Sequence, residues 1–282
     1  MEPGAERDRV GLGWRPQLAA GIFANLDRID VVEVIADDYL PAARKGIDAL
    51  RTLRAQTPVL LHSIGLGPGS TARVEQRRVD ALAKLIEAVE PESWSEHLAF
   101  VRGGGIEIGH LCAPPRNAWT VEGTAENLDR MRRGVGVTPM VENIATLVDP
   151  PGSDLGESVW LSAVMAATES PLLLDLHNVV TNARNLGYEA VEFLEAIPLD
   201  RVRVIHISGG RFLGGEGGPI LDDHLHDPPE PVYQLLEEVG RRARQPLTVI
   251  LERDGRFPAM SELLAQLDRA RASLRAGRER GA

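Results

Sequence analysis

Residues Pro171–Asn178 read PLLLDLHN, a short apolar run that ends in an aspartate, a histidine and an asparagine. A run of this length, bounded by a proline and by polar residues, is typical of a buried strand in a parallel sheet. Seven other segments share this form: Arg9–Trp14, Val31–Ala36, Pro58–Gly65, Ser93–Ala99, Pro139–Ala145, Val202–Gly209 and Leu247–Gly255. Most are followed by an amphipathic, helix-like segment, so we expect parallel strands joined by crossover helices.

Eight strand–helix units in 282 residues average about 35 residues each, which is typical of a (β/α)8 barrel. A doubly wound open sheet is the rival architecture, but it usually carries a glycine-rich phosphate loop after its first strand. The segment Gly65–Ser70 is rich in glycine, yet it lacks the Gly-Lys-Ser/Thr ending of a nucleotide loop and is interpreted as a turn. We therefore predict an α/β protein with a single TIM-barrel domain over residues 1–282.

Three regions of this predicted domain differ in composition. The barrel core is expected over about residues 10–258, after a polar tail at residues 1–9. An Ala- and Arg-rich segment at about residues 269–282 is predicted to be the solvated end of the last helix. Six glycines between Gly209 and Gly218 predict a loop that is either a simple crossover or a lid over the barrel mouth.

The composition excludes several classes of function. The chain has 41 acidic and 31 basic residues, so it has no general electrostatic attraction to nucleic acid or anionic lipid. No apolar run approaches the roughly 18 residues that span a bilayer, and the polar N-terminus is not a signal peptide. The single cysteine, Cys112, excludes an internal disulfide and an all-thiolate metal site. We expect a soluble cytoplasmic protein with neither nucleic-acid nor membrane partners.

Seven consecutive predicted strands carry a histidine or a carboxylate at or near the carboxyl end. These residues are Glu33, His62, His97, Glu142, Asp175, His206 and Glu252. In a barrel the carboxyl ends of the strands converge on one mouth, where active sites lie. Residues two apart share a face of an extended chain, so Asp175 and His177 are expected to point the same way. Asp222, His224 and His226 repeat this spacing and are expected to lie on a locally extended segment.

This pattern favours a metal centre over packing histidines. A single histidine at a strand end is more often a structural group, but all seven histidines of the chain lie in or close after these segments. Burying a charged residue in an apolar strand costs several kcal/mol unless it is paired or bound to metal. Imidazole and carboxylate without thiolate suit Fe, Mn or Zn. The candidates are too many for one ion, so two or three ions bridged by Glu142 and Glu252 are expected, with redox iron and hydrolytic zinc both open.

The polar segments also carry a resemblance to a known family. They cover about residues 10–258 and are Leu61–Leu66, Ser95–Phe100, Val141–Ile144, Leu174–Asn178, His206–Gly210, Asp222–His226 and Leu251–Arg253. In this order they resemble the multinuclear non-haem iron-dependent oxidative enzymes, the family that includes the methanobactin-biosynthesis oxidase. The resemblance implies a xylose-isomerase-like TIM barrel with two or three irons in mixed Fe(II)/Fe(III) states and O2 as co-substrate.

The resemblance also implies which residues bind the metals. The matching positions are His62, His97, Glu142, Asp175, His206, Asp222, His224 and Glu252. His226 matches a family histidine that either binds metal or contacts a ligand. His177 stands where the family commonly has asparagine, so it is a candidate additional ligand. Arg211, after Gly209 and Gly210, is interpreted either as a clamp for a substrate carboxylate or as a surface ion-pair partner.

The leading hypothesis is an O2-dependent iron oxidoreductase that modifies a residue, most often cysteine, of a ribosomally synthesised peptide. The resemblance further implies a small partner protein that recognises the leader peptide. One alternative is a zinc or manganese TIM-barrel hydrolase or sugar isomerase. A sugar isomerase needs a lysine near the metal, whereas Lys45 and Lys84 both lie in helix-like segments. The other alternative is a non-catalytic, metal-stabilised scaffold that binds peptides.

Overall fold

The computed structural model describes residues 7–40 and 44–281, in which twelve strands form. Their bounds are β1 Arg9–Gly13, β2 Val32–Ile35, β3 Val59–Ser63, β4 Ser93–His97, β5 Phe100–Gly103, β6 Ile106–Cys112, β7 Met140–Glu142, β8 Leu172–Asp175, β9 Val202–Ile207, β10 Gly210–Phe212, β11 Ile220–Asp222 and β12 Thr248–Leu251. Eight of them close into a parallel barrel in the order β1-β12-β9-β8-β7-β4-β3-β2. The predicted (β/α)8 barrel is confirmed, and each of the eight apolar runs contains one barrel strand.

Helices occupy most of the segments between barrel strands. Their bounds are α1 Ala19–Phe23, α2 Arg44–Arg54, α3 Gln76–Val89, α4 Ala118–Val135, α5 Glu157–Ala167, α6 Leu176–Leu186, α7 Ala190–Ala196, α8 Glu230–Arg242 and α9 Met260–Gly281. Local sequence sets their ends, as in α4, where the Asn117 side chain accepts from Thr120 N and Gly136 adopts φ +84° after the last turn. No helix in the described ranges has the combined length and hydropathy that crossing a bilayer requires.

Packing within the chain defines two compact units. The first comprises Met1–Val32, Ala145–Val148 and Leu173–Ala282, and the second comprises Glu33–Ile144 and Asp149–Leu172. In the first unit β1, β12 and β9 pair in parallel, and Ile250 lies opposite both Gly11 and His206. In the second unit β3, β4 and β7 pair in parallel, with His62 opposite Ser95 and His97 opposite Glu142. The register therefore brings polar residues side by side at the strand ends of each unit.

Helix α9 includes most of the segment that was predicted to be a solvated end. Ala270 and Leu274 are buried, and a Cβ at Gly277 would lie only 2.1 Å from the carbonyl oxygen of Glu237 on α8. The prediction of a solvated end is therefore wrong for the inner face of this helix, because small residues allow α8 and α9 to approach closely. Residues 1–6 of the predicted N-terminal tail and residue 282 lie outside the described residues.

Two antiparallel hairpins lie outside the barrel sheet. Strand β5 pairs with β6, and β10 pairs with β11, where Arg211 lies opposite Leu221. The glycine-rich segment predicted as a loop or a lid therefore contributes a strand at Gly210–Phe212. Glycines at 214, 215 and 217 have φ values of +73°, +108° and +88°, which side-chain-bearing residues rarely adopt. They form the connection between the two strands of this hairpin.

The ion-pair cluster at the end of α8 gives a test of its contribution to stability. Glu238 accepts from Arg241 Nε at 2.9 Å and from Arg242 Nε at 2.5 Å, and the hydrogen bond from Arg241, opposed by burial, lowers the pKa of Glu238 to about 2. A carboxylate whose pKa is lowered in the folded protein stabilises the fold at pH values above its ordinary pKa of 4.5. This stabilisation is lost as the pH falls toward 2. Because the pair is partly solvated, we expect Glu238→Gln to cost less than about 1 kcal/mol at pH 7.

This difference should shrink between pH 4.5 and pH 2.5. The measurement is urea unfolding of the metal-free protein at several pH values, with Glu192→Gln on the exposed side of α7 as the control. If Glu238→Gln lowers the free energy of unfolding by the same amount throughout this range, the stabilisation does not come from the ionised carboxylate.

Candidate metal centre

Three ligand atoms at the ends of β3, β4 and β7 form a compact triangle. His62 Nε2 lies 3.3 Å from His97 Nε2 and 3.4 Å from Glu142 Oε2, and His97 Nε2 lies 3.3 Å from the same oxygen. These histidine–carboxylate separations exceed the roughly 2.7–2.9 Å of a charge-assisted hydrogen bond. An ion about 2.1 Å from each ligand separates neighbouring ligands by about 3.0 Å in octahedral and about 3.4 Å in tetrahedral geometry. The triangle therefore has the dimensions of a set of metal ligands.

Neighbouring polar groups fix the orientation of this triangle. His62 Nδ1 lies 2.8 Å from Ser95 Oγ, its partner in the strand register, so Nε2 is the ring nitrogen turned toward His97. Glu96 accepts from the backbone N–H of His97 at 2.9 Å and from that of Leu66 at 3.0 Å. Its buried carboxylate therefore ties the end of β4 to the loop after β3. Hydrogen bonds to the second ring nitrogen of a ligating histidine are typical of protein metal sites.

A second group, within the first compact unit, contains Asp175, His206 and Glu252. One ligand atom from each lies within 4.8 Å of the others, and the three side chains belong to residues that are at most 4% exposed. Two carboxylates this close repel one another strongly unless one is protonated or a cation lies between them. His206 Nδ1 lies 3.1 Å from Glu252 Oε2, which adds an imidazole to the same set. The donor chemistry fits a divalent or trivalent cation.

Asp175 reaches this group from a helix N-terminus rather than from mid-strand. Strand β8 ends at Asp175, whose side chain accepts from the backbone N–H of Asn178 at 2.6 Å and caps α6. His177 therefore lies in the first turn of a helix, and the prediction that it shares a strand face with Asp175 is wrong. An aspartate followed by residues that can form a helix ends the strand at that point.

Asp222 bridges two histidines beyond the groups described above. Its Oδ1 lies 2.9 Å from His177 Nδ1, and its Oδ2 lies 3.0 Å from His224 Nε2. His224 Nδ1 in turn lies 3.6 Å from Glu252 Oε2. Among the described residues, Asp222, His177 and His224 are outside the two groups whose ligand atoms all lie within 4.8 Å of one another. They form a chain of imidazoles and carboxylates that ends at Glu252.

The backbone around His224 is not extended, contrary to the expectation from its spacing. His224 has φ +52°, a left-handed conformation that is uncommon for residues other than glycine and asparagine. Its carbonyl oxygen accepts from Asp254 N at 3.0 Å, which holds this conformation in place. This conformation directs the His224 ring toward Asp222 and Glu252, whereas the His226 ring contacts Asp223. The expectation that side chains alternate along an extended chain is therefore wrong for residues 222–226.

Two glycines after β9 allow the chain to pass close to this cluster. A Cβ at Gly209 would lie 2.3 Å from the carbonyl oxygen of Asp227, and one at Gly210 would lie 2.8 Å from Cε1 of His177. Any side chain at either position would have to displace backbone or an imidazole. The Gly-Gly pair that follows His206-Ile207-Ser208 is thus explained by close packing around the candidate ligands.

His226 and Arg211 lie at the edge of the cluster and contact the same carboxylate. His226 Nδ1 lies 2.9 Å from Asp223 Oδ1, and Arg211 Nε lies 3.6 Å from Asp223 Oδ2. The His226 side chain is 34% exposed, and that of Arg211 is 53% exposed. Neither residue belongs to a compact ligand group in the described part of the chain. Their predicted roles in ligation and substrate contact stay predictions.

The electrostatic environment of the Asp222–His224 pair favours positive charge. Burial opposes protonation of His224, but the carboxylates of Glu252 and Asp222 outweigh it and raise the pKa of His224 well above its ordinary value. Burial also opposes ionisation of Asp222, yet His224 and His177 lower the pKa of its carboxyl strongly. A site that stabilises an imidazolium in this way also attracts a metal cation.

Sequence reasoning missed the residues that hold these groups in place. Glu96 and Asp254 each contact a candidate ligand, and Arg253 is buried next to Glu252 in the chain. Arg253 donates to the carbonyl oxygen of Gly255 and to Asp227 Oδ1, each at 3.0 Å. The sequence signal that was available is that each of the three lies within two residues of a strand-end histidine or glutamate.

The profile of the family described as "RiPP precursor modification enzyme MbnB/TglH/ChrH" matches residues 9–275, nearly the whole chain. The chain belongs to this family. RiPPs are ribosomally synthesised and post-translationally modified peptides, so the resemblance inferred from the polar segments is confirmed. The description of the family names modification of the precursor of such a peptide.

Two relatives named UPF0276 protein show how far the similarity extends. The relative from Streptomyces avermitilis is 34% identical over 273 residues, which cover 94% of this chain and 55% of that protein. The chain thus spans about half the length of that relative. The relative from Caulobacter vibrioides is 30% identical over 275 residues and is covered over 96% of both proteins.

Solved structures with a similar fold have much lower sequence identity. An L-ribulose 3-epimerase superposes with a TM-score of 0.59 at 14% identity, covering 96% of each chain. The IolI protein, solved with a bound zinc atom, superposes with a TM-score of 0.58 at 13% identity, covering 94% of this chain and 96% of that one. At this identity the likeness shows the fold alone, a xylose-isomerase-like TIM barrel.

Proposed function

We propose that this protein is an O2-dependent non-haem iron oxidoreductase that modifies a residue, most often cysteine, of a ribosomally synthesised peptide. Membership of the RiPP precursor modification family supports the peptide substrate. The observation that carries the metal centre is that each compact unit holds a buried group of imidazoles and carboxylates with closely spaced ligand atoms. A carboxylate has two oxygens, so we propose Glu142 and Glu252 as the bridging ligands.

The proposed ligands divide into three sets. His62, His97 and Glu142 form the first, and Asp175, His206 and Glu252 form the second. Asp222 and His224, with His177 behind them, supply the third set if a third ion is bound. Oxygen and imidazole ligands without thiolate suit iron, and two to three irons in mixed Fe(II)/Fe(III) states match this number of donors. Iron bound there supplies redox chemistry toward O2 and Lewis-acid activation of the substrate.

The protein itself would bind the metals, orient their ligands and shield the centre from water. Ser95 and Glu96 fix the ring of His62 and the end of β4, so that the first ligand set needs little reorganisation. Burial of the ligands keeps bulk water away from the centre. Arg211 is placed on the hairpin β10–β11 with an exposed guanidinium, where we propose that it contacts a carboxylate of the peptide. We also propose that a small partner protein binds the leader part of the peptide.

One alternative has a specific observation in its favour. The fold is shared with an L-ribulose 3-epimerase and with a zinc-containing protein, so zinc or manganese chemistry on a hydrolase or isomerase substrate is the second candidate. The two lysines of the chain lie on α2 and α3 rather than at the strand ends that carry the ligands. This placement gives the centre no lysine of the kind that a sugar isomerase uses.

The experiment that separates these candidates is metal analysis. The protein is expressed with added iron, purified without oxygen, and examined by elemental analysis and Mössbauer spectroscopy. We expect two or three irons per chain, antiferromagnetically coupled and partly ferrous. Stoichiometric zinc or manganese, with iron excluded even under iron-rich expression, would favour the hydrolase or isomerase. Metals that are coordinatively saturated and do not react with O2 would instead favour the non-catalytic scaffold.

A further inference from the structure

Asp254 contacts His224 through both backbone and side chain. Its N–H donates to the carbonyl oxygen of His224 at 3.0 Å, and its Oδ2 lies 3.3 Å from His224 Nδ1. The other ring nitrogen, Nε2, lies 3.0 Å from Asp222 Oδ2, the carboxylate that is proposed as a ligand of the same ion. The ring is therefore held by Asp254 on its Nδ1 side, and Nε2 is the nitrogen that faces the other proposed ligand.

Arg15 holds the Asp254 carboxylate from the end of β1. Its Nε donates to Asp254 Oδ1 at 3.1 Å, and Nη2 contacts the same oxygen. Nη1 is anchored to the carbonyl oxygen of Trp14 at 2.7 Å, and the arginine side chain is only 12% exposed. Because Oδ1 is occupied by the guanidinium, Oδ2 is the oxygen that faces the imidazole.

Arg253 fixes the loop on which Asp254 lies. Its buried guanidinium donates to the carbonyl oxygens of Gly255 and Arg256 and to Asp227 Oδ1, all at 3.0 Å. Asp227 follows the segment that carries His224, so Arg253 joins the two loops. Arg256 has φ +46°, an uncommon conformation that the hydrogen bond to its carbonyl oxygen helps to maintain. These hydrogen bonds hold the loop that places Asp254 against His224.

We infer that Asp254 is a positioning residue, held by Arg15, which fixes the tautomer and orientation of His224 so that Nε2 binds metal. This inference rests on the proposed function, because it assumes that His224 is a ligand. A carboxylate behind a ligating histidine raises the basicity of the ligand and typically contributes 10–100-fold to metal affinity. The same contact in a protein without a metal at His224 would contribute to stability alone.

The test measures Fe(II) binding without oxygen, by competition with a chromophoric chelator, in the full chain. We expect Asp254→Ala to weaken the binding of one Fe(II) by about 10–100-fold and Asp254→Asn, which retains an acceptor oxygen, to weaken it less. Arg15→Ala should have a smaller effect in the same direction. The double variant should bind no more weakly than Asp254→Ala, because the arginine acts through the aspartate. Asp268→Ala, which breaks the exposed Arg28–Asp268 pair, is the matched control and should leave binding unchanged.

The outcomes distinguish this inference from the proposal on which it rests. His224→Ala should lose the same Fe(II) that Asp254→Ala weakens. If His224→Ala weakens Fe(II) binding and both Asp254 variants bind like the wild type, the positioning role is wrong and the ligand assignment stands. If His224→Ala binds iron like the wild type, the ligand assignment and the positioning role both fail. Additive losses in the Arg15 and Asp254 variants, together with equal falls in melting temperature, would show a purely structural contact.

Discussion

Replacement of Glu142 by glutamine is expected to remove metal and activity together. Glu142 Oε2 lies within 3.4 Å of both His62 Nε2 and His97 Nε2, and the residue is buried. A neutral amide cannot bridge cations as a carboxylate does, so at least one ion should be lost. Activity on a peptide substrate should fall by more than about 100-fold, more than the loss of an outer contact produces.

The same substitution should have the opposite effect on the metal-free protein. Without a cation, the Glu142 carboxylate is buried beside the imidazoles of His62 and His97, where burial disfavours its charge. Glutamine has nearly the same shape and removes this charge, so the melting temperature of the metal-free variant should equal or exceed that of the metal-free wild type. The wild type should gain stability on iron binding, and the variant should gain much less.

Metal content, melting temperature with and without iron, and activity together measure this prediction. His206→Ala should lose metal in the same way. The matched control is Glu126→Gln, since Glu126 is an exposed glutamate on α4. Full metal content in both site variants would refute the assignment of the centre. A metal-free Glu142→Gln protein less stable than the metal-free wild type would show that this carboxylate has a structural role independent of a cation.

Much of the barrel could be predicted because its signal is local and repeated. Buried parallel strands need apolar side chains on both faces, so every barrel strand appears as a short apolar run. A buried histidine or carboxylate stands out against such a run, as His62 does in β3 and His206 does in β9. Strand ends in a barrel meet at one mouth, which is sufficient to predict that these residues form a common site.

The parts that could not be predicted depend on contacts between distant residues or on backbone geometry. Asp175 ends its strand by capping a helix, which alternation alone does not indicate. His224 takes a left-handed conformation that is maintained by Asp254, some 30 residues later in the chain. The contact between Arg15 and Asp254 joins residues 239 apart, and no short motif records it. Sequence patterns therefore indicate candidate ligands better than they indicate the residues that orient them.

Replacement of Asn127 by alanine is expected to be strongly destabilising. Its side chain is buried on α4 and hydrogen-bonds to the loop after β3. Nδ2 lies within hydrogen-bond distance of the carbonyl oxygens of Pro68, Ser70 and Ala72, at 3.1, 3.0 and 2.9 Å. Oδ1 accepts from Val74 N at 2.9 Å. The loop has little regular secondary structure, so the Asn127 side chain supplies hydrogen bonds that a neighbouring strand would otherwise make to its backbone.

The expected loss is about 3 to 5 kcal/mol in the free energy of unfolding. Removing one partner of a buried hydrogen bond costs about 1–3 kcal/mol, and several backbone groups lose theirs at once. A typical domain has only about 5–15 kcal/mol of stability, so this variant should unfold at a much lower urea concentration. Asn127→Asp should be no better, because it keeps the acceptor for Val74 N but places a charge beside three carbonyl oxygens.

Urea unfolding of the metal-free protein measures this loss without a contribution from bound ions. Asn25→Ala is the control, since Asn25 donates one hydrogen bond, to the carbonyl oxygen of Gly21 at 2.8 Å, and is half-buried. Its loss should be within about 1 kcal/mol. Equal losses in the two variants would mean that water satisfies the loop carbonyls when Asn127 is absent. A much larger loss at Asn127 would show that the segment following His62 is held by this asparagine, and with it the approach to the first ligand set.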